Sequence, residues 1–192
     1  MKVSAIDLDG TLTTKDTFLE FIKHSHGKAK FWLGFLLLSP VMALFKIGLI
    51  PNQIAKEMAF SFFFKGWEIE KFNEFCETFS AKINTILCPS TINLLKEHIA
   101  EGNQIIIISA SIENWIRPWA IQQGIQQIAG TKIEVIDGKI TGRFSSKNCY
   151  GAEKVKRLLA IYPERKEYEL FACGDSRGDQ ELLNFANIKL KK

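Results

Sequence analysis

The sequence predicts an α/β fold with a mainly parallel sheet and a helical cap inserted after the first strand. Three features of the 192-residue chain indicate it. Short apolar runs each end in a polar loop, amphipathic stretches lie between them, and a long phenylalanine-rich stretch interrupts the alternation after the first run. Alternating strands and helices are typical of a Rossmann-like core with a parallel sheet. Ligands of such sheets bind at the carboxyl ends of the strands.

Three apolar runs are predicted to be core strands, and each ends in a polar or acidic group. Continuous β-branched residues, such as the four isoleucines of the second run, are typical of strands covered on both faces. The runs with their terminal groups are residues 2–9 with Asp7 and Asp9, residues 104–108 with Ser109, and residues 169–173 with Asp175. Because three separate strand ends carry side chains of the kinds used in catalysis, we expect the functional site at the edge of the sheet where these strands end.

The remaining elements of the core are a hairpin and two helices. Residues 133–136 and 139–143 flank Asp137-Gly138, and this dipeptide between two β-rich runs is a strong hairpin signal. Residues 91–101 and 151–161 each carry an apolar face and are followed by a helix-ending glycine or proline. Both stretches are therefore predicted to be helices between core strands.

The phenylalanine-rich stretch is predicted to be a separate helical unit. It spans residues 13–90 and holds twelve of the fifteen phenylalanines. We therefore expect a catalytic core formed by residues 1–12 and 91–192, with residues 13–90 as the cap.

Composition places the protein among ordinary intracellular globular proteins. Apolar residues make up 46% and charged residues 24%, which excludes collagen-like, disordered and disulfide-rich classes. The net charge of +4 is too small to indicate a nucleic-acid partner. The four cysteines show no C-x-x-C or zinc spacing, and no signal peptide is visible. We expect reduced thiols and a cytoplasmic location.

Asp7 and Asp9 are the first candidates for catalytic residues. Two carboxylates two residues apart at a strand end can approach one reacting centre, one as a nucleophile and the other transferring protons. Such close like charges require a cation, and hard oxygen ligands favour Mg²⁺. The alternative is an acidic surface turn, which the abrupt end of the apolar run disfavours.

Four further residues are candidates on the same chemical grounds. Asp175 could complete a metal site with Asp179 in or beside it, although Asp179 could instead favour a helix N-terminus. Ser109 could bind a phosphate oxygen or cap the next helix. Lys154 could neutralise carboxylates and phosphate or be an ordinary surface lysine.

Together these motifs resemble the haloacid dehalogenase superfamily of phosphotransferases. The order D-x-D-G-T, strand-end serine, downstream lysine and G-D-S-x-x-D is similar to its four motifs, over nearly the whole chain. The helical insertion resembles the cap of its phosphoserine-phosphatase-like branch. Two segments, residues 109–111 and 148–151, are also similar to bacterial members of that branch, which implies substrate-binding roles for Ala110 and Asn148.

The resemblance implies a Mg²⁺-dependent phosphomonoesterase. Asp7 would attack phosphorus to form an aspartyl-phosphate, and Asp9 would protonate the leaving oxygen and then activate water. Mg²⁺ would be held by Asp7, the Asp9 backbone carbonyl and Asp175, with Asp179 in support. Ser109 and Lys154 would hold the phosphoryl group. A non-catalytic phosphate-binding or membrane-associated protein is the alternative, and such a protein would not need Asp9.

The sequence constrains the substrate less than it constrains the reaction. Phosphoserine phosphatases of this branch use an acidic residue and an arginine in the cap region. Asp16 could serve as the acid, but the first arginine is Arg117, and Lys56 offers only a single ammonium in its place. A soluble phosphoserine-like metabolite therefore remains one class of substrate.

Residues 31–50 indicate a second class of substrate, a lipid phosphate, because this long apolar stretch carries a single charge. A single transmembrane crossing would separate Asp7 from the later motifs, and Ser39-Pro40 would interrupt a straight helix, so two short helices in a hairpin are expected. They either pack inside the protein or contact the inner face of a membrane. Peripheral contact would suit a lipid phosphate, and some relatives in the branch act on phosphatidylglycerophosphate.

Overall fold

The computed structural model describes residues 1–192 and confirms the α/β class, with seven strands and eight helices. The strands are β1 (Lys2–Ile6), β2 (Gln104–Ile112), β3 (Gln127–Thr131), β4 (Ile133–Ile136), β5 (Lys139–Phe144), β6 (Glu169–Gly174) and β7 (Ile188–Lys191). The helices are α1 (Thr17–Leu37), α2 (Ser39–Lys46), α3 (Asn52–Phe64), α4 (Ile69–Asn84), α5 (Pro89–Ala100), α6 (Glu113–Gln122), α7 (Ala152–Ile161) and α8 (Gln180–Phe185).

Five strands form one parallel sheet in the order β3-β2-β1-β6-β7. The three predicted core strands are therefore its central neighbours, and their carboxyl ends lie at one edge. Their predicted ends differ from the structure. β1 ends at Ile6, before the acids, while β2 continues beyond Ser109 to Ile112.

Both faces of this sheet are buried, as the isoleucine run predicts. Alternate residues of β2 join opposite apolar clusters, with Ile105 and Ile107 on one side and Ile106 and Ile108 on the other. The second cluster includes Leu158 of α7 and is separate from the cap. The first is continuous with the phenylalanines of the inserted helices, so the core and the insertion share one apolar interior.

The insertion leaves and re-enters the core at adjacent points. Thr13 and Leu87 form an antiparallel bridge, and the Thr14 and Cys88 N–H groups donate to Ile86 O and Leu12 O at 2.7 and 2.8 Å. Between these points lie α1 to α4, which makes the stretch helical as expected. The exact division at residues 13–90 stays a prediction.

The predicted hairpin is present as β4–β5, but it belongs to a separate two-stranded sheet. Asp137 and Gly138 both have positive φ, as a tight two-residue hairpin turn requires. Its β5 packs on the insertion, where Ile140 N–H donates to Trp67 O at 2.9 Å and Phe60 lies 5.6 Å from Phe144 between ring centroids. The hairpin therefore braces the insertion rather than extending the main sheet.

Residues 31–50 contain the second half of α1 and all of α2, which form a bent pair where a hairpin of two short helices was expected. The axes of α1 and α2 meet at 59°, and α1 has a non-helical break at Gly27. No single helix has both the length and the apolarity needed to cross a membrane, although α1 and α2 taken together meet those two criteria. The alternative in which the pair packs inside the protein holds only in part. Phe31 and Gly34 of α1 are buried, whereas α2 has no buried residue.

Candidate active site

The candidate site is a cavity of about 490 Å³ at the carboxyl edge of the sheet, between the core and the insertion. Its floor includes Asp7 after β1, Ser109 in β2 and Asp175 after β6. Because these three strands are neighbours in the sheet, the structure brings together the groups that the sequence predicted to meet.

The turn after β1 is shaped to approach the loop after β6. Gly10 has a φ of +78°, and a side chain there would collide with the Asp175 carboxylate. Thr11 Oγ1 donates to Asp175 Oδ1 at 3.3 Å across the same gap. Glycine is therefore needed at this position both for its backbone conformation and for the close approach.

Lys154 lies buried between two carboxylates. Its Nζ donates to Asp7 Oδ1 at 2.6 Å and also to Asp179 Oδ1. Burial alone would lower the pKa of Lys154, but the two carboxylates outweigh it and hold the pKa above its ordinary value. Lys154 is therefore a permanent cation at the floor of the cavity.

Asp7 has an unusual charge environment. Burial raises the pKa of its carboxyl to about 7, against the opposing effect of Lys154, and the nearby carboxylates of Asp179 and Asp9 add to the rise. One lysine therefore does not neutralise this group of acids.

Asp179 holds the loop after β6 as well as Lys154. Its Oδ2 accepts from the backbone N–H and the hydroxyl of Ser176 at 2.9 and 2.6 Å, which closes a capping box. Lys154 and Ser176 together hold the pKa of Asp179 below its ordinary value despite burial. Asp179 therefore lies at a helix N-terminus and also forms an ion pair with Lys154, while its part in a metal site stays a prediction.

Three carboxylates are placed to hold a divalent cation. One oxygen each from Asp7, Asp175 and Asp179 lies within 4.8 Å of the others. Hard oxygen donors, in a group of acids that one lysine does not neutralise, fit Mg²⁺. The Asp9 carboxylate is not part of this cluster.

Asp9 is instead held from the insertion and from β2. The Thr17 backbone N–H donates to Asp9 Oδ1 at 2.7 Å, and Ser111 Oγ donates to Oδ2 at 2.5 Å. Thr17 Oγ1 lies 2.9 Å from Ser111 Oγ and accepts from Trp115 Nε1 at 3.3 Å. Burial raises the pKa of Asp9, while these hydrogen bonds oppose the rise.

Ser111 and Thr17 were missed as site residues by the sequence. A signal for Ser111 was present, because it lies two residues after Ser109 and residues two apart share a face of an extended strand. No local signal marks Thr17, since its contact to Asp9 depends on how α1 leaves the turn.

Ser109 and Ala110, both expected to bind substrate, line the cavity. Ser109 Oγ accepts from Ser111 N–H at 3.1 Å. The Ala110 carbonyl accepts from Lys56 Nζ at 2.8 Å, which brings this lysine of α3 into the cavity wall. Desolvation lowers the pKa of Lys56, although the carboxylates of Asp9 and Asp16 oppose that effect.

The other two predicted substrate-binding residues differ in placement. Asp16 lines the cavity and also caps α1, where its Oδ1 accepts from Leu19 N–H at 3.1 Å. Asn148 is buried outside the cavity lining, and its amide bridges Thr131 and Asn52 at 3.0 and 2.9 Å. The structure therefore brings Asp16 to the cavity but uses Asn148 as a link between core and insertion.

One wall of the cavity is apolar. Phe35 of α1 and Met42 and Phe45 of α2 face the space that contains Asp7 and Asp9. The cavity thus joins a charged floor to an apolar side formed by the bent helix pair.

Comparison with known proteins identifies a family and a relative. A model of the haloacid dehalogenase-like hydrolase family matches residues 5–184. The protein CicA of Caulobacter vibrioides is 30% identical over 187 residues, which cover 96% of this chain and 83% of that protein.

Solved structures share the fold at lower identity. A protein of unknown function from Bordetella pertussis superposes with a TM-score of 0.85 at 20% identity, covering 99% of this chain and 89% of that one. A phosphoserine phosphatase in a phospho-aspartyl intermediate analogue form gives a TM-score of 0.65 at 18% identity, covering 99% and 85%.

Proposed function

Because the chain belongs to the haloacid dehalogenase-like hydrolase family, we propose that it is a Mg²⁺-dependent phosphomonoesterase that uses Asp7 as its nucleophile. One observation carries this proposal. The acids of two strand ends, the Ser109 hydroxyl and the Lys154 ammonium surround a single cavity. The nucleophile, proton donor and phosphate ligands of a phosphoryl transfer are thus available at one place.

The first step transfers the phosphoryl group to the protein. An Asp7 carboxylate oxygen attacks phosphorus, the bond from phosphorus to the ester oxygen breaks, and an aspartyl-phosphate forms. Asp9 gives its proton to the departing oxygen, and burial shifts the pKa of Asp9 upward, in the direction that favours a proton donor. Ser109 and Lys154 hold the phosphoryl oxygens during the transfer.

The second step returns Asp7 to its starting state. Asp9, now a carboxylate, takes a proton from water as the water attacks phosphorus, and the bond from phosphorus to Asp7 breaks. Inorganic phosphate leaves. The hydrogen bonds from Thr17 and Ser111 keep the Asp9 carboxyl group in one orientation for both steps.

Mg²⁺ is proposed to bind at Asp7, Asp175 and the Asp9 backbone carbonyl, with Asp179 in support. The converging oxygens of Asp7, Asp175 and Asp179 support this set. When bound, the ion supplies positive charge that offsets the negative charge developing on the phosphoryl oxygens.

We propose a lipid phosphate, such as phosphatidylglycerophosphate, as the first candidate substrate. The apolar wall formed by Phe35, Met42 and Phe45 supports a substrate with an apolar part beside its phosphate.

A soluble phosphoserine-like metabolite is the second candidate. Lys56 and Asp16 place opposite charges on the cavity wall, where an amino acid presents a carboxylate and an ammonium. Lys56 already donates to the Ala110 carbonyl, so a carboxylate would have to compete with or share that hydrogen bond.

The test is phosphate release from a panel of substrates with and without Mg²⁺. The panel contains phosphatidylglycerophosphate in detergent, lysophosphatidic acid, phosphoserine, sugar phosphates and p-nitrophenyl phosphate. We expect Mg²⁺-dependent release that Asp7→Asn abolishes. Asp137→Asn is the matched control, since Asp137 is exposed in the hairpin turn and asparagine tolerates its positive φ.

Each result of this panel distinguishes the candidates. Preference for the lipids supports the first substrate class, and preference for phosphoserine supports the second. Release that persists in Asp7→Asn contradicts the nucleophile, and no release from any compound favours a non-catalytic phosphate-binding protein.

A further inference from the structure

The second half of α1 has two apolar sides, and only one is covered. Phe31 and Gly34, and Leu38 directly after the helix, are buried at the spacing expected for a helix that packs against the protein. The opposite side places Trp32, Leu33, Leu36 and Leu37 in solvent, with 67%, 58%, 69% and 60% of each residue exposed. A helix at the surface of a soluble protein normally carries polar residues on that side.

The exposed apolar surface continues past the bend. In α2 and the turn that follows it, Leu44, Ile47 and Leu49 are exposed by 39%, 69% and 69%. We call the exposed residues Trp32, Leu33, Leu36, Leu37, Leu44, Ile47 and Leu49 the apolar face. So many neighbouring exposed apolar side chains mark an interaction site rather than ordinary surface.

The charge around the apolar face has one sign. Residues 21–56 contain five lysines and no aspartate or glutamate. Three of these lysines, Lys28, Lys30 and Lys46, are exposed and form no ion pair in the structure. A lysine near an anionic bilayer surface strengthens binding, whereas lysines repel one another across the interface of two copies.

The inner side of the same helix pair forms the apolar wall of the active-site cavity. Phe35, Met42 and Phe45 line it, so one thin element separates the apolar face from the charged floor. A surface that covered the apolar face would therefore lie directly beside the cavity.

We propose that the apolar face docks onto an anionic phospholipid bilayer, lying in the interface with its lysines at the headgroups. By length and composition the bent pair fits either a broken span or a re-entrant element, and only an element that does not cross the bilayer keeps Asp7 and the later site residues on one side of it. For the substrate, the inference rests on the proposed function. A phosphomonoester with an acyl tail would reach Asp7 from the bilayer along the wall formed by α1 and α2.

The test is co-sedimentation of the full chain with vesicles of phosphatidylcholine, with and without phosphatidylglycerol. We expect binding that requires the anionic lipid and falls as salt is raised. Leu36→Glu and Leu37→Glu should each weaken binding roughly tenfold, because each removes a large apolar side chain from the lipid contact. Ile121→Glu is the matched control, since Ile121 is 49% exposed on α6, outside the apolar face.

A second measurement uses the unmodified chain. Trp32 is 67% exposed, whereas Trp115 and Trp119 are fully buried. Vesicles should shift the tryptophan emission to shorter wavelength and protect it from acrylamide, and Trp32→Phe should remove that change.

The proposal is overturned if the unmodified chain does not bind anionic vesicles, or if the glutamate variants bind as it does. A stable dimer whose formation the glutamate variants prevent, with no vesicle binding, would assign the face to a second copy. Turnover of p-nitrophenyl phosphate without vesicles reports on the catalytic site alone. If the unmodified chain showed no such turnover, the proposed function would be contradicted and the docking result would stand.

Discussion

Replacement of Ser111 tests how Asp9 is held. In Ser111→Ala, Asp9 Oδ2 loses the donor that lies 2.5 Å away, while Oδ1 keeps the Thr17 N–H at 2.7 Å. A hydrogen bond to a charged group contributes about 1.5–3 kcal/mol. Because one donor remains, we take the lower half of that range and expect kcat to fall about 10–50-fold.

The pH profile gives the same substitution a second readout. The Ser111 hydrogen bond lowers the pKa of Asp9, so its loss raises that pKa further. The limbs of the pH–rate profile that reflect Asp9 as proton donor and as base should then both move to higher pH. A purely structural role of Ser111 would lower the amount of active enzyme without this displacement.

Steady-state kinetics with p-nitrophenyl phosphate from acid to alkaline pH measure both effects. Ser145→Ala is the control, because Ser145 is exposed and its hydroxyl donates to Ile133 O at 3.0 Å, in the hairpin. An unchanged kcat together with an unchanged profile for Ser111→Ala would refute the assignment of Asp9 as the proton-transfer residue held by Ser111.

Three further predictions concern the charged floor. Lys154→Met leaves two buried carboxylates without their cation and should lower the free energy of unfolding by about 3–5 kcal/mol, measured by urea denaturation without metal. Gly10→Ala should raise the Mg²⁺ concentration for half-maximal activity because its methyl group meets Asp175; Gly124→Ala, at a similar φ in open space, should leave that concentration unchanged. The pKa of Asp7, raised from 3.8 to about 7, predicts that without metal its stabilising contribution is lost progressively as pH rises from about 4 to 7. Since Mg²⁺ binds the carboxylate, the Tm increase it causes should be larger at pH 8 than at pH 6, and an equal increase would contradict this.

Local patterns predicted the parts of the fold that are decided locally. The isoleucine run and the Asp137-Gly138 turn correctly indicated a strand and a hairpin, and the acids after the first run lie at one cavity with the groups expected beside them. Their exact ends were less accurate, since β2 continues past Ser109 to Ile112. Pairing with β3 reaches Ile112 through an irregular register, and sequence alone does not show that neighbour.

The insertion was predictable as helical but not in its contacts. Lys56 reaches Ala110 across 54 positions of sequence, and Asn148 bonds to Asn52 across 96. Such contacts depend on how the helices return over the sheet edge. The same reason applies to residues 31–50, whose composition is equally compatible with burial and exposure until the packing of α1 is known.

Detection of a phosphorylated Asp7 would test the central claim most directly. The enzyme would be quenched with acid during turnover of p-nitrophenyl phosphate with Mg²⁺, and its peptides analysed by mass spectrometry. We predict one added phosphoryl group on the peptide that contains Asp7, absent without Mg²⁺ and absent in Asp7→Asn. Rapid turnover with no phosphorylated peptide in a quench fast enough to trap it, or a phosphoryl group on another residue, would contradict the account.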